Sequence, residues 1–273
     1  MKDSDYNNLI LKVMNLTAEQ IQENWSILMS RIDTYISEPR RTKLKEFYSK
    51  FQERIMMMPA SHKKEYHNAI PGGYVEHVIR VIDCSLKINS IWEEMGVDNN
   101  TYTLEELVFS ALNHDLGKIG DEENESYIPQ TDQWRRDKLG EEYMFNSKIP
   151  FASVPDRGLF LLQSHGIQYT FNEMITIQTH DGLYDEANKK YLMTYMPEQK
   201  PRTALPFIVH QGDLMAARIE WERDWLPKLN SNLPNSEKNS TLSSKSETKK
   251  LPTKSKALGS IKSDSLKNML DNL

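Results

Sequence analysis

The sequence predicts an all-α protein. Apolar residues recur at helical spacing through most of the chain, and three Thr-x-x-Gln/Glu boxes at Thr17, Thr103 and Thr170 mark helix starts. No run of alternating apolar and polar residues stands out to compete with this pattern. At 273 residues the chain is long enough to bury a core, although its apolar content of 38% is on the low side for a globular protein.

Thr17-Ala-Glu-Gln20 opens the first predicted helix, whose Ile21, Trp25, Leu28, Ile32 and Ile36 fall on one face. Leu44, Phe47, Phe51, Ile55 and Met58 make a second stripe, stopped by Pro59. A third helix starts after Pro71-Gly72-Gly73 and runs through Val75, Val78, Ile79 and Ile82. Thr103-Leu-Glu-Glu106 caps a fourth, with Leu107, Ala111 and Leu112 inward. Residues 121–150 are acidic and irregular and read as a long loop or insertion. Thr170-Phe-Asn-Glu173 caps another helix that ends at His180-Asp181-Gly182. A long helix then runs from about Thr203 to Trp225, with Pro206 in its first turn, where proline is tolerated. Met56-Met57-Met58 and Cys84 read as core, and His62 and His165 as surface residues.

The last segment differs in composition. Residues 231–263 are rich in Ser, Lys, Asn and Thr and cannot bury enough apolar area to offset their ordering entropy, so disorder is expected. Leu266, Met269, Leu270 and Leu273 then form a short amphipathic stripe that could fold onto a protein partner. Residues 231–273 hold 8 lysines against 4 acidic residues, so they carry +4 of a net −5 and leave −9 on the rest. The predicted organisation is an N-terminal helical extension over 1–54, a main domain over 55–230 and a disordered basic tail over 231–273.

The acidic balance argues against an overall nucleic-acid coat. No stretch approaches the roughly 20 apolar residues of a membrane span, so no membrane partner is expected. The start, Met1-Lys2-Asp3-Ser4-Asp5, is polar and does not resemble a secretory signal. A single cysteine, Cys84, excludes an intramolecular disulfide and any thiolate-rich zinc or iron–sulfur site. A cytoplasmic, reducing location is the expectation, and any metal must be held by histidine and carboxylate.

The chemistry concentrates in Ala111-Leu-Asn-His114-Asp115-Leu-Gly117-Lys118-Ile119-Gly120, where an apolar helix delivers an adjacent His-Asp pair and glycines end it. Neighbouring residues on a helix point about 100° apart, so both reach one ion only at a helix end. His77 lies in the first turns of its own helix. Asp213 lies mid-helix against an apolar stripe, where a carboxylate needs a partner. A cation shared with His77, His114 and Asp115 supplies one. Two imidazoles and two carboxylates suit a borderline-to-hard divalent ion with positions left for water.

The pattern His77 … His114-Asp115 … Asp213 resembles the HD-domain metal-dependent phosphohydrolase superfamily, over roughly residues 55–222. Met58-Pro59-Ala60-Ser61 … His67-Asn68-Ala69 … Gly72-Gly73-Tyr-Val-Glu-His77 further resembles the lead-in of HD-domain 3′–5′ exoribonucleases and related bacterial hydrolases. His67 matches the second of their paired histidines, Tyr66 replaces the first, and His180 and His210 also have counterparts.

The resemblance implies an HD-domain helical bundle and metal binding by His77, His114, Asp115 and Asp213. Two-metal members usually carry another histidine some two dozen residues before the position of His180. Ser153-Val-Pro-Asp156-Arg157 stands here instead, so one ion per site is expected, Mn²⁺, Mg²⁺, Fe²⁺ or Co²⁺. The implied reaction is hydrolysis of a phosphoester of a nucleotide or short oligonucleotide by a metal-activated water. Asp115 or Asp213 orients that water, and Lys118, His67 and His180 stabilise phosphoryl charge. His180 reads equally as a helix-terminal histidine held by the macrodipole, and His210 as a supporting core residue.

Two other classes compete. An HD-fold di-iron oxygenase needs six ligands, and the missing histidine near Val154 opposes it. A non-catalytic nucleotide-sensing module, its tail docking a partner, is opposed by the complete ligand set.

Overall fold

Ten α-helices and one pair of short strands make up the residues described by the computed structural model, which are 16–63, 66–224 and 226. The helices are α1 (Ala18–Tyr35), α2 (Arg40–Lys50), α3 (Gln52–Met57), α4 (Gly73–Glu94) and α5 (Leu104–Asn113). They continue with α6 (Gln133–Leu139), α7 (Val154–Ser164), α8 (Phe171–Thr179), α9 (Lys189–Leu192) and α10 (Leu205–Asp224). Strands β1 (Tyr127–Pro129) and β2 (Tyr143–Phe145) pair antiparallel, with Ile128 opposite Met144. All described residues belong to one compact unit. The tail 231–273, with its predicted disorder and terminal stripe, lies outside them, as does Trp225.

All three capping boxes form. The hydroxyls of Thr17, Thr103 and Thr170 accept from the N–H three residues on, and Gln20, Glu106 and Glu173 accept from the threonine N–H groups in return. The stripe from Leu44 to Met58 is two helices rather than one. The chain turns at Phe51 (φ −104°, ψ 17°), which keeps Phe51 and Ile55 both in the core. Met57 is accordingly 54% exposed, while Met58 is buried where the chain extends after α3. Residues 121–150 are not a bare loop: they carry β1, β2 and α6, the last capped by Asp132 and ended by Gly140 in the left-handed region.

α10 lies along α4 and α8, and α5 fills the space between α4 and α8. Leu28 and Ile32 of α1 and Leu44 and Phe47 of α2 share one continuous core with Val78, Ile82, Leu107, Leu112, Ile208 and Val209. The segment expected as an extension thus reaches the base of the site. Buried Tyr48 donates its hydroxyl to Leu112 O (3.3 Å) or Asn113 Oδ1 (3.2 Å), immediately before His114. Gly117 lets the start of α7 approach the turn after His114, since a Cβ there would stand 2.0 Å from Val154 O. Among the described residues, no helix is long and apolar enough to cross a membrane.

Candidate metal centre

Four backbone devices bring the site together. Gly72 takes φ +80°, and a Cβ on Gly73 would meet Asn68 O at 2.1 Å, so this tight turn sets the start of α4 and places His77 in its second turn. α5 ends at Asn113; His114 stays near-helical, Asp115 leaves it (φ −102°, ψ 11°), and a 3-10 turn follows over Leu116–Ile119. That change of direction at the helix end lets both neighbours face inward. His180 closes α8, and Asp213 projects from the middle of α10.

The side chains of His77, His114, Asp115 and Asp213 come together. His77 Nε2 stands 3.1 Å from Asp213 Oδ1 and 3.9 Å from Asp115 Oδ2. His114 Nε2 stands 3.3 Å from Asp115 Oδ2 and 3.8 Å from Asp213 Oδ1. His180 Nε2 joins them at 3.5 Å from Asp115 Oδ1. His67 packs against His77 with ring centroids 4.5 Å apart and the rings tilted by 37°. Lys118 donates to Asp115 Oδ2 (2.5 Å) and Ala60 O (2.8 Å), so its ammonium is engaged with the carboxylate and the backbone.

The far nitrogens fix the rings. His114 Nδ1 donates to Ala111 O at 2.8 Å and His180 Nδ1 to Ile177 O at 2.8 Å. His77 Nδ1 faces Glu220 Oε2 at 3.1 Å. With Nδ1 as donor, and with a cation in place of any Nε2 proton, Nε2 of His77 and of His114 would turn a lone pair towards the ion beside Asp115 and Asp213, the arrangement of a metal-ligating histidine with an outer partner. Nε2 of His77 and of His114 are buried and make no hydrogen bond. Leaving buried polar atoms unsatisfied is costly, and a divalent cation among these nitrogens and carboxylates satisfies them. His77, His114 and Asp213, and likewise His114, Asp115 and His180, offer ligand atoms within 4.8 Å of one another.

The electrostatics fit a cation. Burial opposes charge on His77, but Glu220 and Asp213 outweigh it and raise its pKa to about 10. Against the same opposition, Asp115 and Asp181 raise His180 to about 9. Burial works against ionised Asp115 and Asp213 too, yet Lys118 and His114 hold the first, and His77 and His114 the second, below the usual carboxylate range. His67 goes the other way: burial, with His77 and Lys118 nearby, lowers it to about 3, so it is neutral.

Glu220 was not among the residues the sequence singled out. It is fully buried and also accepts from Arg80 Nε at 3.0 Å. Its signal is its place seven residues after Asp213 on α10, two turns along the same face. His210 supports the site as expected, its Nδ1 donating to His180 O at 2.8 Å. His62 and His165 are half-buried rather than surface residues. His165 packs on Phe47 with centroids 4.8 Å apart and bonds Glu122 at 2.5 Å, and His62 sits between Tyr66 and Phe145. A cleft of about 350 Å³ opens onto His67, Asp181, His210 and Asp213. Comparison with family models, with curated proteins and with solved structures finds no match to this chain.

Proposed function

We propose that the chain is a metal-dependent phosphohydrolase that holds one divalent cation between His77, His114, Asp115 and Asp213. The observation that carries this reading is the pair of buried, unbonded Nε2 atoms on His77 and His114, aimed at two carboxylates whose own environment keeps them ionised. The reaction class rests on the resemblance of that ligand pattern to HD-domain phosphohydrolases. A cation bound there would supply Lewis acidity, drawing charge from a phosphoryl oxygen and making water a nucleophile near neutral pH.

The chain's own residues divide the remaining work. Asp213, whose side chain is 17% exposed against 6% for Asp115, is the carboxylate that meets the cleft and accepts a hydrogen bond from the attacking water. Lys118 holds Asp115 in place and ionised. His67 is neutral with a free Nε2 and donates to a phosphoryl oxygen, while His180, positively charged at neutral pH without the cation, balances the charge that grows there. Nucleotides and short oligonucleotides are the substrates this reading favours. A screen of phosphomonoesters and phosphodiesters with and without added Mn²⁺ tests it. Hydrolysis that depends on the ion supports the reading, and its absence across both ester classes with the ion bound contradicts it.

A further inference from the structure

The cleft beside the metal centre has two unlike walls. The inner wall is polar and belongs to the centre. The outer wall is built from Tyr66, Tyr184 and Trp221, with Arg218 beside them. Tyr66 is 50% and Tyr184 83% exposed, so neither ring serves the core. The Arg218 guanidinium carbon stands 4.3 Å from the Trp221 ring centroid, so guanidinium and indole form one stacked, cationic pair. Glu222 Oε1 accepts from Arg218 Nε at 2.9 Å and steadies that pose.

Phosphate recognition needs none of these rings. Exposed aromatic groups gathered at one cleft mark a binding surface. Flat rings with an adjacent guanidinium are what planar heteroaromatic groups stack on, at about 5- to 150-fold in affinity per ring. A volume near 350 Å³ is at the low end of ligand pockets, about 300–1,000 Å³, and takes one ring-bearing unit. The outer wall offers rings and a cation rather than a fixed set of amide donors and acceptors, so it grips a ring without reading its edge.

We infer that Trp221, Arg218, Tyr184 and Tyr66 form a ring-binding subsite, and that the substrate is a nucleoside phosphate held by its base with little preference among bases. The phosphate part of this statement rests on the phosphohydrolase reading, whereas ring binding stands without it.

Calorimetric titration of the full chain, loaded with Mn²⁺, with adenosine, uridine, ribose and inorganic phosphate separates the two. Adenosine and uridine should bind at least about 10-fold more tightly than ribose and within a few-fold of each other. Trp221→Ala and Tyr184→Ala should each weaken adenosine at least about 5-fold and leave inorganic phosphate unchanged. Tyr184 is so exposed that its truncation cannot unfold the chain, which keeps the test valid should Trp221→Ala fold poorly. Equal affinity for adenosine and ribose, or unchanged adenosine affinity in Tyr184→Ala, overturns the subsite. Retained ring affinity with no ion-dependent hydrolysis of either nucleoside phosphomonoesters or phosphodiesters upholds the subsite and overturns the phosphohydrolase reading instead.

Discussion

Glu220 Oε2 stands 3.1 Å from Nδ1 of His77, and neither side chain is reached by solvent. This contact sets the His77 ring and raises the basicity of the nitrogen that faces Asp213. Glu220 also receives Arg80, which ties the last turns of α10 to α4.

Replacing Glu220 by Gln keeps shape and an acceptor but removes charge. Mn²⁺ affinity, read by calorimetry, should fall about 10- to 100-fold. Glu220→Ala leaves buried His77 without its carboxylate, while Arg80 keeps Glu76 at 3.0 Å, and should destabilise by about 2–3 kcal/mol in urea titration. Unchanged Mn²⁺ affinity in Glu220→Gln would show that the carboxylate does not support the ligand.

The histidine shifts predict a stability maximum near pH 6.5 in chelator-treated protein. His77 and His180, raised to about 10 and about 9, contribute stability that is complete below about pH 6.5 and is lost as pH climbs through those values. His67, lowered to about 3, is neutral in the fold, so stability falls as pH drops below about 6.5. The depressed Asp115 and Asp213 add a further loss below about pH 4. A cation must displace the proton on His77, so Mn²⁺ binding should release protons at pH 7 and strengthen with pH. Thermal melts from pH 4 to 10 and titrations in two buffers of different ionisation heat check both. A midpoint that rises steadily from pH 6.5 to 9 without metal would refute this.

Gly182 separates close approach from simple backbone strain. It takes φ +59°, and a Cβ there would stand 2.0 Å from the His210 ring, whose Nδ1 bonds His180 O. Gly96 takes φ +95° with nothing within 4 Å. Gly96→Ala should therefore cost only about 1 kcal/mol of conformational strain, and Gly182→Ala at least about 2 kcal/mol more, together with weaker Mn²⁺ binding. Equal destabilisation by the two would place no weight on the His210 contact.

His180→Ala should retain one bound ion and lower turnover about 100-fold, because its Nε2 stands 3.5 Å from Asp115 and 3.7 Å from Asp181 and is not one of the four residues proposed to hold the ion. Two ions per wild-type chain and one in this variant would overturn the single-ion reading.

The site was legible where chemistry and local geometry coincide. Thr103 and Glu106 announce α5, Gly117 announces its end, and the His114-Asp115 pair between them has few other uses. His77 and Asp213 were found because a histidine after a glycine turn and a carboxylate amid apolar residues each call for a partner. Glu220 escaped because Trp221, Glu222 and Arg223 surround it with polar and aromatic neighbours, and its burial comes from α4 packing above it. Strands β1 and β2 escaped because three residues are too few to show alternation. The break at Phe51 escaped because no proline or glycine marks it.

Metal content of the purified chain, after loading with Mn²⁺ and desalting, tests the central claim most directly. Wild type should carry one ion per chain. Asp115→Asn, which preserves shape and should preserve far-UV helicity, should carry none. A wild-type chain that retains no ion, or an Asp115→Asn chain that retains as much as wild type, would contradict the assignment of His77, His114, Asp115 and Asp213 as a metal centre.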